Sequence, residues 1–411
     1  YRYIQAEDLQ TQWIDIGPVN KVLNMLSVYA TEGPDSEAFQ RHAERLRDYL
    51  WLAEDGLKMN GYNGSQLWDT AFASRALAAS KHPEAVPFLR RSFHYLDLSQ
   101  VQQEVPLQKE FFRHPSVGGW PFSTLAHGWP ITDCTAEALH AVLAILQFPS
   151  LTGTLALPPE RLYQAVDLIL SFQNRDGGWA TYEKTRGPRW LEGFNPSEVF
   201  SAIMIDYSYT ECSSSCIQAL CAFHRAFPAY RSADIRRAIH RGVRFILGQA
   251  NPEGLWYGSW GVCFTYGTWF ASQALRQADP FLTEKVRQQA HLALEKLSQA
   301  LQVRQQPDGG WGEHYSSCLQ RTWVPATSQV VQTAWAVMAL MNTPRPPQSA
   351  IQRGLHFLMR MQAPHGDWPQ QNISGVFNKT CMITYANYRN IFPLWALGRA
   401  RQEGFIPSES V

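Results

Sequence analysis

The sequence predicts an all-α fold in which helical hairpins close into an α/α toroid, similar to an (α/α)6 barrel. Three observations predict it. An amphipathic helix followed by glutamine and a Gly-x-Trp turn recurs along the chain, its period is close to two helices plus two turns, and the alternating pattern of strands is scarce. Repeated hairpins must bury a shared face, and a closed ring of hairpins achieves this.

The repeats follow one another from the first third of the chain to near its end. Their turns finish at Trp120, Trp179, Trp256, Trp311 and Trp368, at intervals of 55 to 77 residues. The glutamines before these turns are Gln100, Gln173, Gln249, Gln305 and Gln362. A long insertion follows Gln100, and Gln249 stands one place early. Glycine lets the backbone turn, glutamine can bond exposed backbone groups, and tryptophan can stack on that glutamine. We expect these residues to be architectural, because repetition suits a scaffold better than a single active site.

Helical patterns lie between the turns. They include Ala165 to Phe172, Arg236 to Leu247 and Gln329 to Met341. Residues 254 to 275 carry no formal charge, but their glycines, serines and threonines predict a buried loop and helix rather than a membrane span. The proline-rich stretches at 157–159 and 344–347 fall between helices and are expected to be loops, so no internal linker divides the chain.

Composition restricts the class of partner. A net charge of +1 argues against nucleic acid as a partner. Charged residues make up 17%, below the usual share of about 25% in soluble proteins. The aromatic content of 13%, with 15 tryptophans, requires a packing motif or an aromatic-lined site. The seven cysteines are scattered without paired CxxC units, which indicates a reducing compartment.

One carboxylate stands out in the segment from Phe122 to Glu137. Asp133 lies among aromatic and apolar neighbours, next to the thiol of Cys134, with no basic residue within five positions. An apolar site favours the neutral form of a carboxyl group, so Asp133 is a candidate acid. The alternative is that Asp133 caps a helix beginning at Cys134, which on the local pattern alone is the more frequent arrangement.

The repeats and the run Asp133-Cys134-Thr135-Ala136-Glu137 together resemble the oxidosqualene cyclases over essentially the whole chain. The resemblance implies cyclisation of 2,3-oxidosqualene without a cofactor or metal, with Asp133 protonating the epoxide. Cys134 and Cys212 match the two thiols that hydrogen-bond this acid, although inert core cysteines are the alternative. Squalene–hopene cyclases, a related class, carry Asp-x-Asp-Asp, whereas this chain has Ile131 and Cys134 at the first and last of those positions. The single remaining acid favours the epoxide substrate.

The implied chemistry passes through carbocations, which electron-rich aromatic faces stabilise without trapping. The positions that match the cation-facing aromatics of the family are Trp68, Phe122, Tyr182, Trp260, Phe377 and Tyr385. Ile203 matches a residue of the substrate channel. For each of these side chains, simple core packing is the alternative.

Three positions bear on the product. Tyr62, His127 and Ile131 match the set found in cycloartenol-forming members, where lanosterol-forming members usually carry Thr, then Cys or Gln, then Val. A Tyr62–His127 pair could hold or relay the base that removes the final proton, because neutral imidazole accepts protons near neutral pH. The prediction is cycloartenol, with lanosterol and parkeol as alternatives.

The resemblance also implies the surroundings of the chain. Residues 1–411 match the C-terminal catalytic barrel and its lead-in, and the N-terminal barrel found in the family is absent from them. Membrane association in one leaflet is implied, at the endoplasmic reticulum in a eukaryote or at the cytoplasmic face of the inner membrane in a bacterium. Three other classes stay open: a prenyltransferase β-subunit with a zinc site of Asp, Cys and His, an α/α-barrel glycosidase using Asp133 and Glu137, and a non-catalytic repeat scaffold.

Overall fold

The structure is a computed structural model that describes residues 1–53, 56–198 and 201–406. It is mainly helical, as predicted. The helices are α1 Arg2–Gln10, α2 Pro18–Glu32, α3 Glu37–Arg45, α4 Gln66–Ser80, α5 Val86–Ser99, α6 Thr132–Leu146, α7 Pro159–Phe172, α8 Thr210–Ala226, α9 Ser232–Gln249, α10 Phe264–Ala278, α11 Glu284–Arg304, α12 Ser316–Gln320, α13 Val330–Met341, α14 Gln348–Met361 and α15 Tyr388–Gln402. Two short antiparallel hairpins pair β1 Leu50–Ala53 with β2 Gly56–Met59, and β3 Gly375–Phe377 with β4 Cys381–Ile383.

Six helices form a closed inner ring. Each packs against the next in the order α4, α6, α8, α10, α13 and α15, and α15 packs against α4. The outer helices α5, α7, α9, α11 and α14 pack against this ring. The predicted α/α toroid is therefore confirmed. The three predicted helical patterns are confirmed as α7, α9 and α13.

The inner helices all run in the same direction. Towards one end of the ring, Arg399 in the last turn of α15 donates to Oδ1 of Asn342, just after α13, at 3.0 Å, and Asn342 donates to Ser272 Oγ in the second half of α10 at 3.0 Å. Gln402 of α15 donates to the carbonyl of Ser80 at the end of α4 at 3.2 Å. The amino termini meet at the opposite end, where first-turn residues of α4, α6, α10 and α15 line one cavity, Cys212 of α8 lies beside Asp133, and Gln332 of α13 donates to the Val262 carbonyl before α10 at 3.4 Å.

The uncharged stretch 254–275 is a loop followed by α10, whose residues are almost all buried against the other inner helices. This agrees with the prediction of a buried segment. Within the described ranges, no helix combines the length and the apolar character that crossing a membrane requires.

The Gly-x-Trp turns join outer helices to the ring through the indole N–H. Each tryptophan donates to the carbonyl that lies three residues before the end of the preceding outer helix. The pairs, at 2.7 to 2.9 Å, are Trp120–Leu96, Trp179–Ile169, Trp256–Ile246, Trp311–Leu301 and Trp368–Leu358. Such carbonyls have no partner inside their own helix, so the tryptophan satisfies a buried acceptor that the helix leaves open.

The repeated glutamines link neighbouring outer helices. Gln173 Nε2 donates to the carbonyl of Gly177 in its own turn and to that of Ala238 in α9, both at 2.9 Å. Gln100 and Gln305 make the equivalent pair of bonds. The glycine is required: Gly177 has a φ of +94°, and a Cβ there would lie 2.6 Å from the carbonyl oxygen of Arg241.

The fourth repeat differs, as the early Gln249 indicates. Ala250 takes the C-cap position that glutamine takes after the other outer helices. Asn251 Oδ1 holds the turn by accepting from the backbone N–H of Leu255 at 2.9 Å.

We expect Trp179→Phe to lower the free energy of unfolding by about 2 kcal/mol or more, because it leaves the Ile169 carbonyl buried without a donor and removes ring volume from a packed core. Denaturant unfolding of the purified protein measures this. Trp190→Phe is the matched control, because Trp190 is 65% exposed and its replacement should change the value little. Equal effects of the two substitutions would contradict the assigned role.

Candidate functional site

A cavity of about 320 Å³ opens at the end of the ring where the inner helices begin. The predicted residues that line it are Tyr62, Trp68, Phe122, Ile131, Asp133, Tyr182, Ile203, Trp260, Phe377 and Tyr385. Three predicted residues lie behind this lining: Cys134, Cys212 and His127. The fold thus brings together residues that are far apart in the sequence, while their individual roles stay predictions.

Asp133 is the second residue of α6, which begins at Thr132. The expectation of an N-cap at Asp133 is therefore wrong: the helix starts one residue earlier than the cap would require, and Ile131 stands at the cap position. The carboxyl oxygen Oδ1 accepts from the backbone N–H of Cys134 at 2.9 Å. Burial raises the pKa of Asp133 to about 7, and the nearby Glu137 acts in the same direction, while the Cys134 N–H and the Cys212 thiol oppose it. Asp133 consequently holds a proton in much of the neutral range.

Buried thiols surround the acid. The buried thiols of Cys134 and Cys212 lie beside the Asp133 carboxyl group, and each thiol interacts with it electrostatically. Burial raises the pKa of each thiol, so both remain protonated and can donate. A third thiol, Cys216, lies one turn beyond Cys212 and donates to the carbonyl of Thr132 at 4.0 Å. The sequence analysis missed Cys216, although its spacing of four from Cys212 places both on one helix face.

The predicted Tyr62–His127 pair is in contact. The Tyr62 hydroxyl lies 3.3 Å from His127 Nε2 and also hydrogen-bonds the hydroxyl of Tyr182. Burial lowers the pKa of His127 to about 3, so its imidazole is neutral at physiological pH. Tyr62 faces the cavity and His127 lies behind it, so the Tyr62 hydroxyl stands between the cavity and a neutral acceptor.

Pairs of aromatic rings form much of the cavity wall. Trp68 stacks on Phe122 with ring centres 5.9 Å apart, and Trp260 lies 4.9 Å from Phe377. Tyr385 stacks at 4.5 Å on Tyr388, which was not predicted.

Two tyrosines were missed, Tyr388 and Tyr266, and both line the cavity. The Tyr388 hydroxyl accepts from Trp68 Nε1 at 2.6 Å. A spacing of three from Tyr385 was the available signal for Tyr388. No local signal identified Tyr266, which lies in the first turn of the buried helix α10.

Buried carboxylates hold the loops that carry the walls. Asp206 accepts from the backbone N–H groups of Thr181 and Tyr182 at 3.0 and 2.7 Å. Glu211 accepts from the N–H of Trp260 at 3.0 Å. Burial raises the pKa of Asp206 to about 6 and that of Glu211 to about 7. These acids were not predicted, because their partners lie in separate loops.

Glu137 is engaged elsewhere. It forms a buried ion pair with Arg75 of α4 and accepts from Ser215 Oγ of α8 at 2.7 Å. Arg75 also donates to Gln218 at 3.0 Å. The Glu137 carboxylate therefore reaches away from its own helix, to α4 and α8. A glycosidase would need Asp133 and Glu137 as a pair of free carboxyl groups. The ion pair with Arg75 engages Glu137, so this alternative lacks its second carboxyl group.

Among the residues that the structure describes, one group has the geometry of metal ligands: Asp8, Asp15 and His42. The ammonium of Lys21 lies 2.8 Å from His42 Nδ1, so a cationic side chain already occupies this group. It contains no cysteine, and it does not match the zinc site of a prenyltransferase β-subunit.

Comparisons with known proteins give a consistent result. Residues 64–402 match the family model described as the squalene-hopene cyclase C-terminal domain. The chain is 50% identical over 407 residues to the lanosterol synthase of Mus musculus, covering 97% of this chain and 54% of that protein. It is also 50% identical over 405 residues to the cycloartenol synthase of Dictyostelium discoideum, covering 98% and 56%. The chain thus spans about half the length of these relatives.

A solved structure shares the fold. The type II terpene cyclase MstE from Scytonema superposes with a TM-score of 0.55 at 15% identity, covering 94% of this chain and all of that one. At this identity the similarity supports the helical toroid and nothing further.

Proposed function

The chain belongs to the squalene-hopene cyclase C-terminal domain family, as the predicted resemblance to oxidosqualene cyclases implied, and from this premise we propose that it is the catalytic portion of an oxidosqualene cyclase that forms mainly cycloartenol. One observation carries the proposal: a buried carboxyl group, Asp133, whose pKa is raised by burial, faces a cavity lined largely by aromatic side chains.

In the proposed reaction, Asp133 donates its proton to the epoxide oxygen of 2,3-oxidosqualene. The C–O bond breaks, a tertiary carbocation forms, and successive alkenes attack to close the rings. A proton leaves carbon at the end, so substrate and product are isomers and no cofactor is consumed. The stacked pair Trp68–Phe122 and the tilted pair Trp260–Phe377 present ring faces or edges to the passing positive charge, and a desolvated ring contributes about 2 kcal/mol.

The choice of cycloartenol rests on Tyr62, His127 and Ile131, since the chain is equally similar to a lanosterol synthase and a cycloartenol synthase. The neutral His127 can accept the proton that Tyr62 releases, while the Tyr62 hydroxyl takes the proton that leaves the substrate carbon. Ile131 lies in the cavity wall beside the acid and limits where the cation rests.

We expect the full-length protein to convert 2,3-oxidosqualene mainly to cycloartenol, and Tyr62→Phe to divert about a tenth or more of the product to other triterpenes. Loss of the hydroxyl removes the relay to His127, and a change of 1.4 kcal/mol in a competing barrier alters a product ratio about tenfold. Gas chromatography with mass spectrometry measures the mixture.

Tyr257→Phe is the matched control for this substitution, because the Tyr257 hydroxyl also makes a half-buried bond, to the Cys318 carbonyl at 2.8 Å, but Tyr257 does not line the cavity. Lanosterol or parkeol as the sole product of the parent protein would refute the assignment of cycloartenol.

We also propose that the protein lies on one leaflet of a membrane, from which its apolar substrate enters. Trp190 and Phe194, on a short 3₁₀ helix at Arg189–Phe194, are 65% and 70% exposed with ring centres 6.0 Å apart. Glu192 accepts from the backbone N–H of Ile205 at 3.1 Å, two residues after Ile203, which lines the cavity. An exposed apolar patch beside the cavity suits insertion into lipid.

We expect the double substitution Trp190→Ser and Phe194→Ser to reduce binding of the full-length protein to phosphatidylcholine vesicles about tenfold, because two large apolar side chains no longer enter lipid. Flotation of protein with vesicles measures binding. Phe88→Ser is the matched control, since Phe88 is an exposed phenylalanine on α5. An unchanged floating fraction for the double variant would exclude this patch.

The predicted N-terminal barrel remains a proposal. Helix α2 carries an exposed apolar stripe with helical spacing, formed by Val19, Val22, Leu23 and Leu26. We propose that the rest of the full-length protein covers this stripe with a second helical barrel. A structure of the full-length protein in which the stripe faces solvent would contradict this.

A further inference from the structure

We propose that a buried ionic cluster, formed by the first three helices and the loop between α1 and α2, is a positioning device for the Tyr62–His127 pair, and that it thereby influences which product forms. The cluster consists of Asp8, Asp15, Lys21, Asn24 and His42, and is called the lead-in cluster below. The inference rests on the proposed function, because it assumes that the pair handles the final proton.

The lead-in cluster is closed and desolvated. All five residues are buried. Lys21 Nζ lies 2.8 Å from His42 Nδ1, and His42 Nε2 lies 3.2 Å from Asp8 Oδ2. Asn24 Nδ2 donates to Asp15 Oδ1 at 3.2 Å. Buried ionic groups contribute little net stability compared with well-packed apolar side chains. We therefore infer that the lead-in cluster serves to hold the surrounding backbone in one conformation.

The geometry that the cluster enforces is that of a strained loop. Between α1 and α2, the non-glycine residues Gln12, Trp13 and Asp15 have φ values of +50°, +59° and +66°. Such left-handed residues persist only where the surroundings hold them. The Lys21 ammonium donates to the carbonyl of Trp13, and the Asp15 carboxylate lies inside the cluster.

Two hydrogen bonds run from this lead-in to the residues beside the proposed pair. Asn63, next to Tyr62, donates from Nδ2 to the carbonyl of Asp15 at 3.0 Å. Gln10 donates from Nε2 to the carbonyl of Gly128, next to His127, at 2.7 Å. The backbones are also in close approach, because a Cβ on Gly128 would lie 2.3 Å from the Gln10 carbonyl oxygen.

The same loop continues into the cavity wall. Residues Ile16 to Asn20 line the cavity together with Tyr62. One rigid lead-in therefore fixes the backbone on both sides of the 3.3 Å contact between Tyr62 and His127, as well as the wall beside it. Loss of either the Asn63–Asp15 or the Gln10–Gly128 hydrogen bond should change the distance between Tyr62 and His127. That change should alter which of the competing final proton losses is fastest, and so the product ratio.

The test uses the full-length protein with 2,3-oxidosqualene and compares Gln10→Ala with Asn63→Ala. We expect each to divert about a tenth or more of the product away from that of the parent, with a larger change in product ratio than in total turnover, because a small change in a competing barrier changes a ratio directly. A residue that only stabilises the fold would lower turnover without altering the ratio. Since Gln10 is only half-buried, Gln10→Ala remains usable if Asn63→Ala does not fold.

Gln40→Ala is the matched control. Gln40, on α3, also donates its side-chain amide to a backbone carbonyl, that of Pro34 at 2.8 Å, but it is exposed and does not line the cavity. It should keep the parental mixture. Parental mixtures from both Gln10→Ala and Asn63→Ala, with an altered mixture from Tyr62→Phe, would overturn the positioning role alone. A parental mixture from Tyr62→Phe would overturn the role of the pair, and the positioning role with it.

Discussion

Replacing Asp133 with asparagine should lower the turnover of 2,3-oxidosqualene by the full-length protein about 10⁴-fold, the upper range for loss of a general acid. Asparagine preserves the shape and can still accept from the Cys134 N–H, but its amide holds no proton of comparable acidity. Single-turnover product formation at saturating substrate measures the loss. Retention of more than about one hundredth of the parental rate would eliminate Asp133 as the initiating acid.

The rate of the parent protein should fall as pH rises through about 7, by about tenfold per pH unit, because Asp133 donates only in its protonated form. The stability of the parent protein should also decrease, not increase, as Asp133 loses its proton. The pKa of Asp133 is raised from its ordinary 3.8, so the native state favours the neutral form, and the associated stability is lost as pH rises through the folded value. The stability of Asp133→Asn should therefore change less than that of the parent as pH rises from about 4 to about 7, the interval between the unfolded and folded pKa values of Asp133.

Glu211 is the control for this assignment, because burial raises its pKa to about 7 as well. Glu211→Gln should retain the fall in rate above neutral pH, since Glu211 binds the backbone of Trp260 and does not line the cavity. The opposite result would assign the titration to Glu211. In that case the rate of Glu211→Gln would no longer fall above neutral pH, whereas the rate of a partly active Asp133 variant still would.

The second large effect concerns stability. Arg75→Met should lower the free energy of unfolding by about 3–5 kcal/mol, because it leaves the Glu137 carboxylate buried without its cation. Arg75 and Glu137 side chains are only 6% and 1% exposed, and the Arg75 guanidinium also lies 4.7 Å from the Trp395 ring centre. Denaturant unfolding at neutral pH measures the change.

Two further variants test whether the buried ion pair causes the loss of stability in Arg75→Met. Arg41→Met breaks an exposed pair with Glu37 and should cost no more than about 0.5 kcal/mol. Combining Arg75→Met with Glu137→Leu should recover part of the loss, since no buried charge is then left unpaired. A double variant as unstable as Arg75→Met alone would show that packing around Arg75, rather than the charge pair, sets the cost.

The fold was predictable because its signal is long and repeated. Each outer helix ends in a glutamine or its substitute and each turn ends in a buried tryptophan, so Trp179 and Trp311 marked the same place in successive hairpins. The cavity-lining residues were recognised through family motifs, and local physics alone favoured core packing for residues such as Trp68. The expected cap at Asp133 was wrong because helix starts are set by one or two residues that local pattern does not resolve.

The missed residues depend on contacts between distant segments. Arg75 and Glu137 are 62 positions apart, and nothing in either neighbourhood indicates that α4 and α6 place them together. The same holds for Glu211, whose partners lie in the loop before α10. Such pairs become visible only when the ring order of the helices is known.

The common direction of the six inner helices has an electrostatic consequence. Each helix carries a macrodipole equivalent to about half a positive charge at its amino terminus, and these ends converge on the cavity. Asp133, in the first turn of α6, becomes an anion in the place where this field is most favourable to negative charge, which makes proton release easier. A carbocation formed in the proposed reaction would be repelled by the same helix ends. The rings of Trp68, Tyr266 and Tyr388, in the first turns of α4, α10 and α15, line the cavity at these ends and would offset that repulsion. The barrel therefore places the carboxylate and the cation-stabilising rings at the same helix starts, where the field favours the anion and the rings offset its effect on the cation.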